Sequence, residues 1–261
     1  MNEQDQTPPA NPPGVFIGKG MRVTIPAGGL SIGFDEQGNF TSSCRLHISI
    51  DLCPHWLLIA FAHICAADKM HGELLEASKA DDPEAISSCL EQEFVSGMQA
   101  MMAAAIAIDA FYAAVREHAP VPSDLLENWR KNKTARAKQI FETFRRAFPI
   151  MRKGKNNLDI AIKEIFRFRD LAVHPKSVAS EAVYYPVINR NVEWRYQAFS
   201  FQNAITAVRI ALQIVVLLTR DINPYDNDQL KEYCSILNNK NSGLLAQWES
   251  RYGKLIDDQK G

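Results

Sequence analysis

The chain has 261 residues, of which 46% are hydrophobic and 23% charged, and its formal net charge is −1. This composition is typical of a soluble globular protein, long enough for one large domain or two small ones. The charge is unevenly distributed: residues 1–128 carry 6 basic and 17 acidic side chains, residues 129–176 carry 14 and 4, and residues 177–261 carry 9 of each. The central basic block predicts either a polyanionic partner or neutralisation by the acidic part of the same chain.

The sequence predicts a cytoplasmic protein with no membrane partner. Residues 1–18 begin with MNEQDQTPPANPPG, which lacks the charged and apolar regions of a signal peptide and instead predicts a flexible tail. The two most apolar runs contain polar residues, Asp109 in the first and Arg209 and Gln213 in the second. We therefore expect buried helices rather than membrane spans. Five irregularly spaced cysteines indicate reduced thiols.

The predicted elements begin with strands and continue as helices. Residues 19–53 contain RLHISIDL, whose apolar residues alternate as in a strand, and DEQGN, which is typical of a turn. Helical periodicity follows over 54–79 and, after the break ADDP, over 83–117. The remaining predicted elements are two short helices within 124–150, a helix over 156–173, a strand hairpin at 182–199, and helices over 200–220, 226–238 and 242–257.

Together these elements predict a mainly α fold. We expect a helical bundle with a small added antiparallel β-sheet, formed by the N-terminal strands and the 182–199 hairpin. The predicted domains are the tail at 1–18, the β-rich segment at 19–53, the bundle at 54–222 and C-terminal helices at 223–261.

One arginine stands out in the predicted helix over 156–173, because Arg169 points along its apolar stripe. The apolar members of this stripe are Leu158, Ile162, Ile165, Phe166, Ala172 and Val173. A charge there is costly unless it is paired or lies at an interface between protein chains. Asp109, inside another apolar helix, is a candidate partner for Arg169; the alternative is a polar residue at a bend or edge of that helix.

His174 lies five residues after Arg169 and precedes Pro175, and a residue before proline is disfavoured in the α conformation. We therefore expect the helix to end at Val173 or His174, so that His174 can turn back toward Arg169. The negative end of the helix dipole favours a protonated imidazole, which can act as a general acid or base. Asp170 can orient that imidazole or accept a hydrogen bond from Arg169.

These three side chains suit metal-independent cleavage of RNA. The ribose 2′-OH attacks the neighbouring phosphate, a histidine transfers the proton, and an arginine stabilises the charged transition state. A guanidinium can hold a phosphate with two hydrogen bonds. The same pattern also fits an ordinary salt bridge and helix cap, so the residues alone leave both interpretations open.

The segment RDLAVH, residues 169–174, resembles the R-polar-x(3–5)-H motif of the HEPN superfamily, whose members are helical bundles and very often ribonucleases. The resemblance covers about 95–176 and includes an Ala-rich helix and a basic connection before the motif. It implies that Arg169 is the phosphate clamp, His174 the acid/base and Asp170 the polar orienting residue. It also implies a homodimer in which the motif helices of two protomers meet, which would place Arg169 at an interface.

The basic block supplies candidate contacts to the RNA backbone. These are Arg130, Lys131, Lys133, Arg136, Lys138 and Arg167. Trp129 and Phe141 are available for stacking on bases. The alternative is that these side chains belong to solvated helix faces.

No metal or cofactor is expected. Residues 44–71 hold seven cysteines and histidines, but their spacing matches no zinc template. Core cysteines and surface histidines are the preferred interpretation. The glycines near 27–29 form no phosphate-binding pattern.

The sequence therefore predicts a HEPN-like, metal-independent endoribonuclease of the toxin or defence type, a setting that comes only from the resemblance. Its expected partners are RNA, a second copy of the chain, and an antitoxin or regulatory protein. The alternative is a non-catalytic HEPN-like binding or scaffold module that engages a partner protein or a nucleotide. An enzyme needs Arg169 and His174 in an open basic cleft, whereas a scaffold tolerates them buried in a salt bridge with Asp109 or Asp170.

Overall fold

The computed structural model describes residues 17–18, 21–174, 181–222, 224–225 and 227–256, apart from the side chains of Arg152 and Lys153. The chain divides into two compact units, residues 1–51 and 52–261. The predicted fold class is confirmed, because helices dominate and the strands form small antiparallel sheets.

The first unit contains four short strands in its described part. They are β1 (Met21–Thr24), β2 (Leu30–Phe34), β3 (Phe40–Cys44) and β4 (His47–Ile50). β1 pairs with β4 and β2 pairs with β3, both antiparallel. The predicted turn DEQGN joins β2 to β3: Asp35 accepts hydrogen bonds from the backbone N–H groups of Gln37 and Asn39, and Gly38 has a φ of 80°. A side chain that satisfies the turn's own backbone donors fixes its conformation locally.

The second unit is a helical bundle that carries one strand hairpin. Its described helices are α1 (Cys53–Ala80), α2 (Pro83–His118), α3 (Ser123–Lys131), α4 (Arg136–Ala147), α5 (Arg152–Val173), α6 (Trp194–Ala198), α7 (Phe201–Val216) and α8 (Asp228–Tyr252). A turn of π-helix, Leu217–Asp221, continues α7. The hairpin strands β5 (Val183–Tyr185) and β6 (Arg190–Val192) pair with each other, so the described strands of the chain form three separate two-stranded sheets. The prediction that the N-terminal strands and the hairpin form one sheet is therefore wrong, because each described strand pairs with a single partner.

α2 lies at the centre of the bundle and packs against α1, α4, α5, α6, α7 and α8. Its middle part is rich in buried alanines, whose small side chains let neighbouring helices approach closely. The backbones approach closely at Gly97, where an added Cβ would collide with the carbonyl oxygen of Phe199, just before α7. The sequence of α2 therefore fixes how near the start of α7 lies to it.

Two described helical segments are long and apolar enough to cross a membrane by composition alone, α2 and Phe201–Asp221. In the most apolar 18-residue stretch of each segment, 56% and 50% of the residues, respectively, are buried inside the bundle. Such burial is the usual property of helices that form a protein core.

The hairpin and the C-terminal helices have boundaries that differ from the predicted ones. The hairpin ends at Val192 instead of 199, because Glu193 caps α6 by accepting a hydrogen bond from the N–H of Arg195. The two helices predicted within 226–257 form one helix, α8, through the segment NNKNSG. Leu237 and Leu244 are buried on either side of that segment, and their packing outweighs its low helix propensity.

Candidate active site

The RDLAVH motif occupies the end of α5, which begins at Arg152, four residues before its predicted start. The predicted buried stripe is confirmed for Leu158, Ile162, Ile165 and Phe166. Asp170 and His174 lie on the exposed face. The prediction that Val173 also belongs to the buried stripe is wrong, since its side chain is 49% exposed. Burial decreases along this last turn, where the helix leaves the core.

Arg169 lies at the edge of the buried stripe, and its side chain is 29% exposed. Its Nε and Nη2 donate hydrogen bonds to Oδ1 of Asp170 at 3.0 and 2.6 Å. Its Cζ lies 4.6 Å from the centroid of the Phe166 ring. The guanidinium thus stacks on an aromatic ring while remaining open to solvent, which allows an arginine to occupy an apolar stripe without a buried partner.

Asp109 is paired with Arg136 and not with Arg169. Its Oδ1 accepts a 2.6 Å hydrogen bond from Nε of Arg136, and the two side chains are about one-third exposed. The Arg136 guanidinium also lies over the Tyr112 ring, 4.5 Å from its centroid. The hypothesis of an Asp109–Arg169 pair is therefore wrong, because α4 supplies a nearer arginine.

His174 is the C-terminal cap of α5, so the predicted end of the helix is confirmed. Its backbone N–H donates to the carbonyl oxygen of Asp170 at 2.9 Å, which keeps the chain in helical register up to this residue. The Cα atoms of Arg169 and His174 therefore lie about 140° apart around the helix axis, so the prediction that His174 turns back toward Arg169 is wrong. Asp170 binds Arg169, and no described residue hydrogen bonds to the His174 imidazole. Pro175 lies outside the described residues.

Four of the predicted RNA contacts surround the α3–α4 turn. Arg130 and Lys131 end α3, Lys133 lies in the turn, and Lys138 lies in the first turn of α4; all four are exposed.

The other predicted contacts are already engaged within the protein. Arg136 pairs with Asp109, as described above. Arg167 lies on α5, where it forms a 2.8 Å ion pair with Glu164 and stacks on Phe168 with Cζ 4.6 Å from the ring centroid.

The prediction that Trp129 stacks on bases is wrong. Its side chain is 6% exposed and anchors the last turn of α3, and its carbonyl oxygen accepts a hydrogen bond from Thr134 N–H at 2.9 Å. Phe141 is partly buried and packs against the main core. A tryptophan beside four cations resembles a stacking site in sequence, but here it is the one buried residue of a short amphipathic helix.

The α3–α4 turn and the motif helix are linked to α2 at different positions along its axis. Arg136 contacts α2 at Asp109. Near the motif, the ring of Phe168 packs on Phe199, with centroids 6.3 Å apart, and Phe199 packs on Phe94 of α2 at 5.8 Å. Phe94 and Asp109 are separated by about 22 Å along the helix axis and by about 60° around it. The motif helix and the α3–α4 turn are therefore linked to α2 at positions about four helical turns apart.

A buried carboxylate that sequence analysis missed ties α1, α2 and α7 together. Glu93 is 1% exposed, and its Oε1 accepts a 2.8 Å hydrogen bond from Phe201 N–H at the start of α7. The same oxygen lies 3.0 Å from Nδ1 of His71 on α1. Burial, and next the nearby Glu93 carboxylate, raise the pKa of the Tyr185 hydroxyl.

The sequence does contain a signal for Glu93. It falls on the same helical stripe as Ile86, Cys89 and Gly97, all of which are buried, whereas Glu91 is exposed. A carboxylate on a buried stripe needs hydrogen-bond donors, and the start of a neighbouring helix supplies them.

The described cysteines and histidines do not assemble into a metal site. No group of three or more His, Cys, Asp or Glu side chains in the described part of the chain is placed to hold an ion. Cys53, Cys89 and Cys234 are buried. Burial raises the pKa of Cys234 to about 12, which is typical of a structural thiol.

A comparison with known proteins found no matching family model, no similar curated protein and no similar solved structure.

Proposed function

We propose that this chain is a HEPN-like, metal-independent endoribonuclease whose active residues are Arg169 and His174. The observation that carries the proposal is the environment of the motif. Both side chains reach solvent at the end of one helix, and Arg169 is held by Asp170 and Phe166 instead of being buried in a salt bridge. An ion pair at a solvated helix end contributes little to stability, so folding alone gives little reason for the Arg169–Asp170 pair at this position.

The proposed reaction is attack of a ribose 2′-OH on the adjacent phosphodiester. His174 accepts the 2′-OH proton. The same imidazole, or that of His174 in a second protomer, returns a proton to the departing 5′-oxygen. The P–O5′ bond breaks as the P–O2′ bond forms, so the products are a 2′,3′-cyclic phosphate and a 5′-OH end. Arg169 stabilises the charge that develops on the phosphate oxygens.

A homodimer fits this chemistry better than a single chain. Arg169 and His174 leave one helix on faces about 140° apart, so they converge poorly on one phosphate. If two α5 helices meet, Arg169 of one protomer can lie beside the histidine of the other. In this arrangement Asp170 is a positioning residue, since its carboxylate orients Arg169.

The alternative function is a non-catalytic HEPN-like scaffold. One observation favours it: Asp170 accepts two hydrogen bonds from Arg169 through the same oxygen, and this partly neutralises the arginine. A scaffold would use the motif as a helix-end contact and would bind a protein or nucleotide elsewhere.

The test is cleavage of a mixed RNA pool in EDTA by the wild type and by His174→Ala. His55→Ala is the matched control, because His55 is an exposed histidine on α1. We expect cyclic-phosphate ends from the wild type and from His55→Ala, and a rate at least about 100-fold lower from His174→Ala. Equal cleavage by all three proteins, or none by a folded wild type, would contradict the proposal.

A further inference from the structure

The α3–α4 turn concentrates positive charge that the protein itself does not neutralise. Residues 129–138 contain five basic and no acidic side chains. Of these five, Arg136 is paired with Asp109. The other four (Arg130, Lys131, Lys133 and Lys138) are exposed, and no described carboxylate lies within 4.0 Å of their charged groups.

The turn is held rigidly although its surface is charged. Trp129 at the end of α3 is buried, and Thr134 N–H donates to its carbonyl oxygen at 2.9 Å. Nε2 of Gln139 donates to the carbonyl oxygen of Thr134 at 2.7 Å, and Nη1 of Arg136 donates to Oε1 of Gln139 at 3.3 Å. The backbone that carries the lysines is therefore fixed before any ligand binds.

Lys133 occupies a backbone conformation that disfavours its side chain. Its φ is 49°, and the other described non-glycine residues with positive φ are Asp81 and Asn189, whose short polar side chains tolerate this region. Glycine adopts it without steric cost and is the common residue just after a helix. A lysine there carries a conformational cost, and local strain of this kind clusters at binding sites.

The cationic surface continues onto α2. The guanidinium carbons of Arg116 and Arg136 lie 5.6 and 4.5 Å from the centroid of the same ring, that of Tyr112. The nearest acidic residues in sequence are Glu127 in α3 and Glu142 in α4, and Glu142 is paired with Arg145 and Arg146. Neither of them lies within the turn itself.

We propose that the α3–α4 turn is a phosphate anchor for an RNA strand that extends to the motif at the end of α5. This inference rests on the proposed function and adds a second, non-catalytic contact. Arg136 of the anchor contacts α2 at Asp109, and the motif helix is linked to α2 through Phe168, Phe199 and Phe94. Phe94 and Asp109 lie about 22 Å apart along the α2 axis, which sets the scale of the separation. At about 3.4 Å per nucleotide of stacked strand, that distance corresponds to roughly six nucleotides. RNA shorter than this reaches only one of the two contacts.

The test measures binding of fluorescein-labelled single-stranded RNA of 20 and of 4 nucleotides at several salt concentrations. All proteins carry His174→Ala, so that the RNA stays intact. Lys131→Ala/Lys133→Ala removes the anchor, and Lys69→Ala/Lys79→Ala removes the same charge from α1, where both lysines pair with glutamates.

We expect the anchor variant to bind the 20-nucleotide RNA about tenfold more weakly, with the slope of log K against log salt reduced by roughly 1 to 2. Its preference for the longer RNA should disappear, while the control keeps the parent's affinity and slope. An unchanged slope and affinity in the anchor variant would overturn the inference.

Lys133→Gly separates binding from folding. Because glycine accepts a φ of 49° without strain, this variant should melt at a higher temperature and yet bind the 20-nucleotide RNA several-fold more weakly. If affinity is retained, Lys133 is not a contact and the inference is wrong.

The two proposals fail in different ways. If the turn binds RNA but the wild type never cleaves it, the anchor proposal is supported and the nuclease proposal is refuted. If the wild type cleaves RNA and the anchor variant binds RNA as well as its parent does, the nuclease is supported and the anchor is refuted. The exposed cations of the turn would then fit an acidic protein partner instead.

Discussion

At the scale of single residues, Arg169 combines a packed ring contact with a solvated charge. The planar guanidinium stacks on Phe166 and donates twice to Asp170, whereas a lysine can do neither in the same geometry. Its role in folding is therefore small, and its proposed role in catalysis depends on shape as well as charge.

Arg169→Lys should lower the rate of RNA cleavage by about 100-fold or more, because a fixed donor to the transition state is lost. The free energy of unfolding should change by less than about 1 kcal/mol, because the pair with Asp170 is exposed. Arg190→Lys is the control, since Arg190 forms a comparable 2.7 Å pair with Asp81. Single-turnover kinetics and urea unfolding measure both effects; a large loss of stability with normal cleavage would refute this division of roles.

Residue patterns predict some of this site and miss the rest for definite reasons. Helical periodicity predicts the buried stripe of α5, and Pro175 predicts where the helix ends. The prediction for Val173 fails because periodicity gives the helix face of a residue but not the point at which the helix leaves the core. The prediction for Trp129 fails because residue type alone does not show which side of a short helix is buried.

At the scale of secondary structure, the junction before α7 is fixed by two residues of α2. Gly97 allows the backbone of Phe199 to approach, and Glu93 accepts the first N–H of α7. Phe199 also contacts Phe168, next to the motif. Changes at this junction should therefore affect the orientation of the motif as well as stability.

Gly97→Ala should destabilise the fold by about 1–3 kcal/mol or more, because the new Cβ would clash with the Phe199 carbonyl oxygen. Gly72→Ala on α1 is the matched control, since nothing lies within 4 Å of its added Cβ. It should stabilise the protein by about 0.5–1 kcal/mol through helix propensity. Equal urea midpoints for the two variants would show that α2 and the Phe199 backbone are not in close contact.

Glu93→Ala should cost about 1–3 kcal/mol, because it leaves Phe201 N–H buried without an acceptor. Glu91→Ala removes an exposed carboxylate two residues away and should change stability by less than about 0.5 kcal/mol. Guanidinium unfolding of the two variants gives the comparison. If both lose the same amount, Glu93 acts through general charge and not through its contact with α7.

At the scale of the whole molecule, every described hydrophobic side chain that is buried belongs to residues 52–256. The second unit therefore contains its own core, as an independently folding domain does. A fragment of residues 52–261 should keep its helical circular dichroism and unfold cooperatively. A non-cooperative transition would show that residues 1–51 are required for the packing of the bundle.

The overall architecture follows from sequence more readily than the long-range pairings do. Apolar periodicity and the Asp-Pro break predict the helices, but the continuity of α8 through NNKNSG depends on the burial of Leu237 and Leu244 by other helices. The same applies to Asp109, whose arginine partner is 27 residues away. The cations at the α3–α4 turn are visible in the sequence, whereas their distance from the motif is set by the packing of α2.

The most direct test of the central claim uses a heterodimer isolated through two different affinity tags, with Arg169→Ala in one protomer and His174→Ala in the other. Each homodimeric variant should be inactive on RNA in EDTA. The heterodimer retains one intact pairing of Arg169 and His174 across the interface, so it should recover about half of the wild-type rate. A heterodimer as inactive as either homodimer would contradict a site shared between two protomers, and activity in both homodimers would contradict a role for these residues in cleavage.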